Sequence, residues 1–217
     1  QELTTEENGQ IKLLKPVSLN QHIRRKGEDI TENSVIFKAG QRLGPQHLAM
    51  LASIGVGTVP VYQSLKVGVF FTGDELTEPG QPLAPGAIYN SNRYAINALL
   101  KQLGCNVLDY GIIRDSAEAT RDALARAASE NDLIITCGGV SVGEEDHVKA
   151  AVLSQGSLDL WQISMKPGKP LAYGKIGQAD FIGLPGNPVS SFVTFLLMAR
   201  PFILKRMGVA DHGLNYM

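Results

Sequence analysis

Residues 136–149 read TCGGVSVGEEDHVK, and the residues just ahead of them give the stretch its meaning. Asp132-Leu-Ile-Ile-Thr136 is a short, β-branched apolar run with polar residues on one side and glycines on the other, the pattern of a buried parallel strand. Three acids follow the glycines, Glu144, Glu145 and Asp146, and then Val148, Ala151 and Val152 recur at helical spacing. Strand, glycine turn, acids and helix in that order put the turn at the carboxyl end of a strand, where open α/β sheets bind ligands. Gly138 and Gly139 let backbone amides approach an anion, and the helix start adds the positive end of its dipole. Carboxylates beside an anion site point to a bridging hard cation such as Mg²⁺, which takes oxygen ligands. The same residues also suit a plain crossover, with glycines for the turn and acids for the helix dipole.

Upstream, the same alternation recurs. Val67-Gly-Val-Phe-Phe71 reads as a strand that turns at TGDEL (72–76), and a proline- and glycine-rich loop (78–87) leads to a helix capped by Asn90 or Ser91 and ending near Leu103. Residues 106–113 read as a second strand, and Asp115 with Glu118 forms a possible capping box for the next helix. Downstream, 158–163 is extended, MKPGKP (165–170) precedes two short strands at 171–175 and 180–183, and LPGNPVS (184–190) opens a long apolar helix that Pro201 is expected to kink. Strands alternating with helical runs predict an α/β fold: a three-layer, mainly parallel sheet, mixed at its edge, with helices on both faces.

Residues 1–64 read differently. Residues 11–23 have strand-like character broken at Pro16, 46–54 have helical spacing opened by Pro45, and 58–62 return to extended character. We therefore expect part of a smaller N-terminal lobe and linker over 1–64, an α/β domain over 65–208 and a polar tail over 209–217.

The chain has 217 residues, 44% of them hydrophobic, enough for one sizeable core and a smaller lobe. A net charge of −1 leaves no general basic surface for nucleic acid or an anionic membrane, so neither is an expected partner. Cys105 and Cys137 lie in or beside apolar runs with no CxxC, which predicts buried thiols, no disulfide framework and a reduced, cytoplasmic setting. No charge-free apolar run reaches about 18 residues. The start of the chain lacks the cationic and apolar segments of a signal peptide.

Five loops are expected at one end of the sheet: 72–76, 114–116, 138–146, 165–170 and 184–190. Glu75, Asp115 and Asp146 could hold a divalent cation, while Lys166 and Lys169 could hold an oxyanion. A site with both signs suits phosphate chemistry, in which metal and lysine neutralise developing charge. Each residue also has a plainer reading. Asp74 and Glu75 terminate a strand, Asp115 caps a helix, the lysines are solvated loop charges, and Pro185 and Pro188 set the entry into the last helix.

TGDEL, GGVSVGEED, MKPGKP and LPGNPVS, in that order, resemble the molybdopterin molybdenumtransferase family (MoeA in bacteria, the gephyrin E domain in animals) over about residues 20–208. The resemblance implies insertion of molybdenum from molybdate into adenylylated molybdopterin, with release of AMP and a divalent cation, Mg²⁺, as cofactor. It implies that Glu75, Asp115 and Asp146 are functionally required, with Glu75 and Asp146 on the metal. Lys166, Lys169 and Ser190 resemble molybdate-receiving positions, and the loop Pro185-Gly186-Asn187-Pro188 resembles part of a pterin-binding wall. The remaining expected substrate-binding positions are Thr72, Gly73, Asp74, Ser91, Gly138, Gly139, Ser141 and Gly143. Family members also carry an elongated N-terminal lobe and a C-terminal β-barrel and form homodimers, with an adenylyltransferase as a possible partner. Two other readings stay open: a molybdopterin adenylyltransferase of the MoaB or MogA kind, and a non-catalytic scaffold fragment.

Overall fold

The computed structural model describes residues 3–140 and 147–211. Two compact units divide the chain, residues 1–39 and residues 40–217.

In the first unit, β1 (Thr4–Glu7) and β2 (Gln10–Leu13) pair antiparallel across Asn8-Gly9. Both turn residues have positive φ, 55° and 74°, as a two-residue turn matched to strand twist requires. The expectation of strand character over 11–23 is corrected here. Pairing starts earlier, at Thr4, and residues 14–23 form turns and irregular structure. The Asn8-Gly9 pair is the signal in the sequence that would have located this hairpin.

In the second unit, α1 (Pro45–Ser53) starts on its proline, as expected. Residues 58–62, expected to be extended, form no strand pairing. The main sheet then takes β3 (Lys66–Thr72), β6 (Asn106–Ile113), β7 (Leu133–Cys137), β8 (Gly156–Gln162), β9 (Pro170–Ile176) and β10 (Ala179–Leu184). A short excursion between β3 and β6 adds β4 (Leu76–Thr77) and β5 (Ile88–Tyr89), paired with each other. The helices are α2 (Ser91–Leu103), α3 (Ala117–Glu130), α4 (His147–Gln155), α5 (Pro188–Thr194) and α6 (Arg200–Arg206).

Strand order is β6-β3-β7-β10-β9-β8, with β6, β3, β7 and β10 mutually parallel and β9 antiparallel to both neighbours. The sheet is therefore mixed through β9, as the sequence indicated. Side chains alternate between its faces. Val67, Val69 and Phe71 join Leu133, Ile135, Cys137 and Leu184 under α2 and α6, packing on Ile96, Leu100, Ile203 and Leu204. Phe70, Ile134 and Phe181 face the other way, onto Leu124 and Ala127 of α3 and Val148 and Val152 of α4. With helices on both faces every residue of β7 is buried, which is why it reads as a continuous apolar run rather than an alternating one.

Pro201 has no N–H to donate, and its ring crowds the carbonyl four residues back. The structure resolves this with a π-helical turn, Phe195–Ala199, between α5 and α6. The wider turn relieves the misfit without breaking the helix. The resulting 19-residue helix, Pro188–Arg206, has the length and apolar composition of a membrane span. Phe195, Ala199, Ile203 and Leu204 nonetheless pack into the core against the sheet.

Candidate functional site

The chain leaves β3 through α2 toward β6 on one side and then returns through α3 to β7 on the other. The switch point lies at the carboxyl ends of β3 and β7, where open sheets leave a crevice. Because β9 alone is reversed, the carboxyl ends of β6, β3, β7, β10 and β8 all meet one edge. The described parts of the five expected loops are thereby brought to that edge, with MKPGKP as the turn between β8 and β9.

At the switch point the loops touch. Gly138 donates its N–H to Leu184 O at 3.2 Å, and an added Cβ on Gly138 would lie 2.4 Å from Thr72 O. Its φ of +95° belongs to the left-handed region that favours glycine. A Cβ on Gly186 would come 3.8 Å from Gly138 Cα, so LPGN lies against the glycine turn on its other side.

The acids are partly assembled. Asp74 and Glu75 are exposed, and the Glu75 carboxylate folds back over Gly73, 2.6 Å from where a Cβ there would sit. Asp115 donates its backbone N–H to Asp74 Oδ1 at 3.3 Å, which joins the β6 loop to the β3 loop. The expected Asp115/Glu118 capping box is corrected. Ser116 caps α3, accepting from Ala119 N–H at 3.3 Å, because it stands one residue nearer the first helical turn. Asp146 lies outside the described residues, as do Ser141 and Gly143. Among the described residues no group of three or more His, Cys, Asp or Glu side chains is placed to hold a metal. The exposed oxygens of Asp74 and Glu75 still fit a cation such as Mg²⁺, which keeps several waters and takes one or two carboxylates.

Opposite, Gly168 is buried; a Cβ there would meet Thr194 Oγ1 at 2.5 Å and Met165 Cε at 2.7 Å. The loop thus rests on α5 and leaves the flanking Lys166 and Lys169 exposed to solvent. Asn187 caps α5: its Oδ1 accepts from the backbone N–H of Ser190 at 3.1 Å and from Ser190 Oγ at 3.3 Å. Asn92 Nδ2 donates to Gly186 O at 2.7 Å and ties the first turn of α2, beside exposed Ser91, to the LPGN loop. Pro185 is buried, whereas Gly186, Asn187 and Pro188 are exposed. Ser91, Asn92, Ala95, Pro188, Val189 and Phe192 line a cavity of about 350 Å³. The Thr72, Thr136 and Thr194 hydroxyls are buried and have no hydrogen-bond partner among the described residues.

Cys137 ends β7 at 2% exposure, with Sγ 3.3 Å from Ser191 Oγ. Burial pushes its thiol up to about 12, the opposite of what a nucleophile needs. The sequence reading gave no role to Arg93, which bridges Glu78 at 2.7 Å and Asp109 at 2.8 Å. These three residues come from different elements, so no spacing along the chain could have paired them.

Residues 68–205 match the family described as "Probable molybdopterin binding domain", and residues 1–55 match "MoeA N-terminal region (domain I and II)". The chain is 46% identical to the molybdopterin molybdenumtransferase of Haemophilus influenzae over 96% of its own length and 52% of that protein. A crystal structure of a MoeA molybdopterin biosynthesis protein from Pyrococcus horikoshii superposes with a TM-score of 0.80 at 31% identity, covering 98% of this chain and 52% of that one. The MoaB molybdopterin biosynthesis enzyme of Thermus thermophilus shares the fold at a TM-score of 0.50 and 20% identity, over 66% of this chain and 96% of that one. The chain thus spans about half the length of the curated relatives it matches.

Proposed function

The chain belongs to the family of probable molybdopterin binding domains, with a MoeA N-terminal region ahead of it, and from that membership we propose that it serves molybdenum cofactor biosynthesis. The reaction proposed is insertion of molybdenum from molybdate into adenylylated molybdopterin, with release of AMP.

The observation that carries this reading is that the strand order brings the described parts of five loops to one edge of the sheet, with the exposed carboxylates of Asp74 and Glu75 after β3 and the exposed Lys166 and Lys169 between β8 and β9. In the proposed arrangement Lys166, Lys169 and the Ser190 hydroxyl receive the molybdate dianion. Pro185 to Pro188 and the neighbouring apolar cavity form a wall for the pterin, and Ser91 and the amides of Gly138 and Gly139 face the phosphate end. Thr72, Gly73 and Asp74 complete the floor, and Ser141 and Gly143 are proposed as further substrate-binding positions. Glu75 and Asp146 would hold Mg²⁺, which supplies charge neutralisation at the phosphate. Asp115 ties the Asp74 loop through its backbone amide, and its carboxylate is proposed as a further required acid. Phosphate transfer relies on positioning and electrostatics rather than a covalent nucleophile, in keeping with a buried, protonated Cys137. A cytoplasmic, homodimeric full-length protein that receives its substrate from an adenylyltransferase completes the proposal.

Calorimetry with adenylylated molybdopterin, with and without molybdate and Mg²⁺, tests it. Metal-dependent binding is expected, and Glu75→Gln is expected to weaken it by about tenfold or more. Equal affinity in both proteins would overturn the role of Glu75. Consumption of ATP in place of a molybdate requirement would move the assignment to the adenylyltransferase reading.

A further inference from the structure

Glu75 stands at the start of an excursion, residues 73–90, that leaves β3 and returns at α2. Very little backbone pairing holds this excursion. The two-residue parallel pairing of β4 with β5 is made by Ile88 N–H donating to Glu75 O at 2.8 Å and Asn90 N–H to Thr77 O at 2.9 Å. A two-stranded ladder of this length is marginal by itself. The polar anchorage lies in the first turn of α2. Arg93 Nη1 lies 2.7 Å from Glu78 Oε1 on the excursion, and Arg93 Nε donates to Asp109 Oδ2 at 2.8 Å on β6. Tyr94 OH donates to the other Glu78 oxygen at 3.2 Å. Asp109 is held in turn by Asn97 Nδ2 at 3.0 Å and by Gly111 N–H at 2.9 Å.

The three charged side chains are only 27–30% exposed, so solvent screens this network less than an ordinary surface pair. Asp109, and then Glu78, hold the Arg93 guanidinium above its ordinary pKa. A planar guanidinium can serve two carboxylates in different directions at once, which a lysine ammonium on a flexible stem does less well.

We infer that Arg93 is a positioning residue that braces Glu78 against Asp109, fixes the 73–90 excursion and so sets where the Glu75 carboxylate stands at the crevice. The inference rests on the site reading proposed above. It concerns a residue that touches neither the carboxylate nor the substrate.

Arg93→Lys and Arg93→Met, compared with Tyr110→Phe, test it. Tyr110→Phe, elsewhere on β6, removes the 2.7 Å hydrogen bond to Glu130 at the end of α3 and the 2.9 Å one from Asn131, and serves as the stability control. Two readouts are taken: amide hydrogen exchange, and Mg²⁺-dependent binding of adenylylated molybdopterin. In the Arg93 variants, Ile88 and Asn90 protection should fall by about tenfold, with binding falling about as much, while Ile134 and Ile135 protection is retained. Arg93→Lys should lie between wild type and Arg93→Met, and Tyr110→Phe should change neither readout. Unchanged protection at Ile88 and Asn90 would overturn the inference. Lost protection with unchanged metal-dependent binding would also overturn it, because the brace would then be structural only. Wild-type protein that binds no pterin would instead sink the site reading, and amide protection would still decide whether Arg93 orders the excursion.

Discussion

At the residue scale the crevice depends on close approach. Gly138 sits where a Cβ would press on the Thr72 carbonyl at 2.4 Å, in a backbone conformation that L side chains avoid. Gly138→Ala therefore meets both a left-handed φ and a backbone clash. We expect it to lower stability by about 2–4 kcal/mol, read from chemical denaturation. An alanine tolerated within about 0.5 kcal/mol would mean that the Thr72 and Gly138 strand ends are not packed as described. The glycine pair was legible in the sequence as a turn at a strand end. The atom it must avoid was not, because Thr72 lies 66 residues earlier.

At the scale of elements, the helix starts separate capping from function. Asn90 is buried and accepts from Arg93 N–H at 3.2 Å, so it caps α2 as the sequence suggested. For α3 the sequence offered Asp115, and the structure assigns the cap to Ser116. Replacing a cap serine by alanine costs about 1 kcal/mol. Ser116→Ala should therefore lower stability by about 1 kcal/mol, as monitored by thermal unfolding. Stability unchanged within about 0.3 kcal/mol would take the cap away from Ser116. Adjacent candidates for one cap cannot be ranked by residue type alone, since Asp and Ser cap about equally well. Backbone geometry decides, and here Ser116 is the extended residue just ahead of the helix.

Across the whole molecule, burial of neutral acids makes stability sensitive to high pH. Burial raises Cys137 from 9.0 to about 12 and Cys105 from 9.0 to about 11. Tyr110 rises from 10.0 to about 12, through burial and its contact with Glu130. Each group keeps its proton in the fold at pH values where the unfolded chain has lost it. Their contribution is therefore complete below pH 9 and is lost as pH rises from 9 through about 12. Cys137 alone contributes a slope of about −1.4 kcal/mol per pH unit in that window. Urea unfolding at pH 8, 9.5 and 11 measures the slope, and Cys137→Ala should flatten it. A flat profile in the wild type would contradict the burial of both thiols.

Several features needed no tertiary information: the alternation of strands and helices, the five loops and their order, the reversal near one sheet edge, and the proline-opened helices. All arise from local causes. Period and apolar run length select the elements, and glycine, proline and cap residues end them. Features created by contact between distant segments were decided only by the tertiary structure. It set the strand order that turns five separate loops into one edge and the press of Gly138 on Thr72. It also set the Asp115 link to Asp74 and the bridge from Arg93 to Glu78 and Asp109. The physical reason is that hydrogen bonds and ion pairs act over a few ångströms of space, whatever the separation along the chain. Local sequence therefore specifies which groups reach the crevice, and packing of the sheet specifies which of them meet.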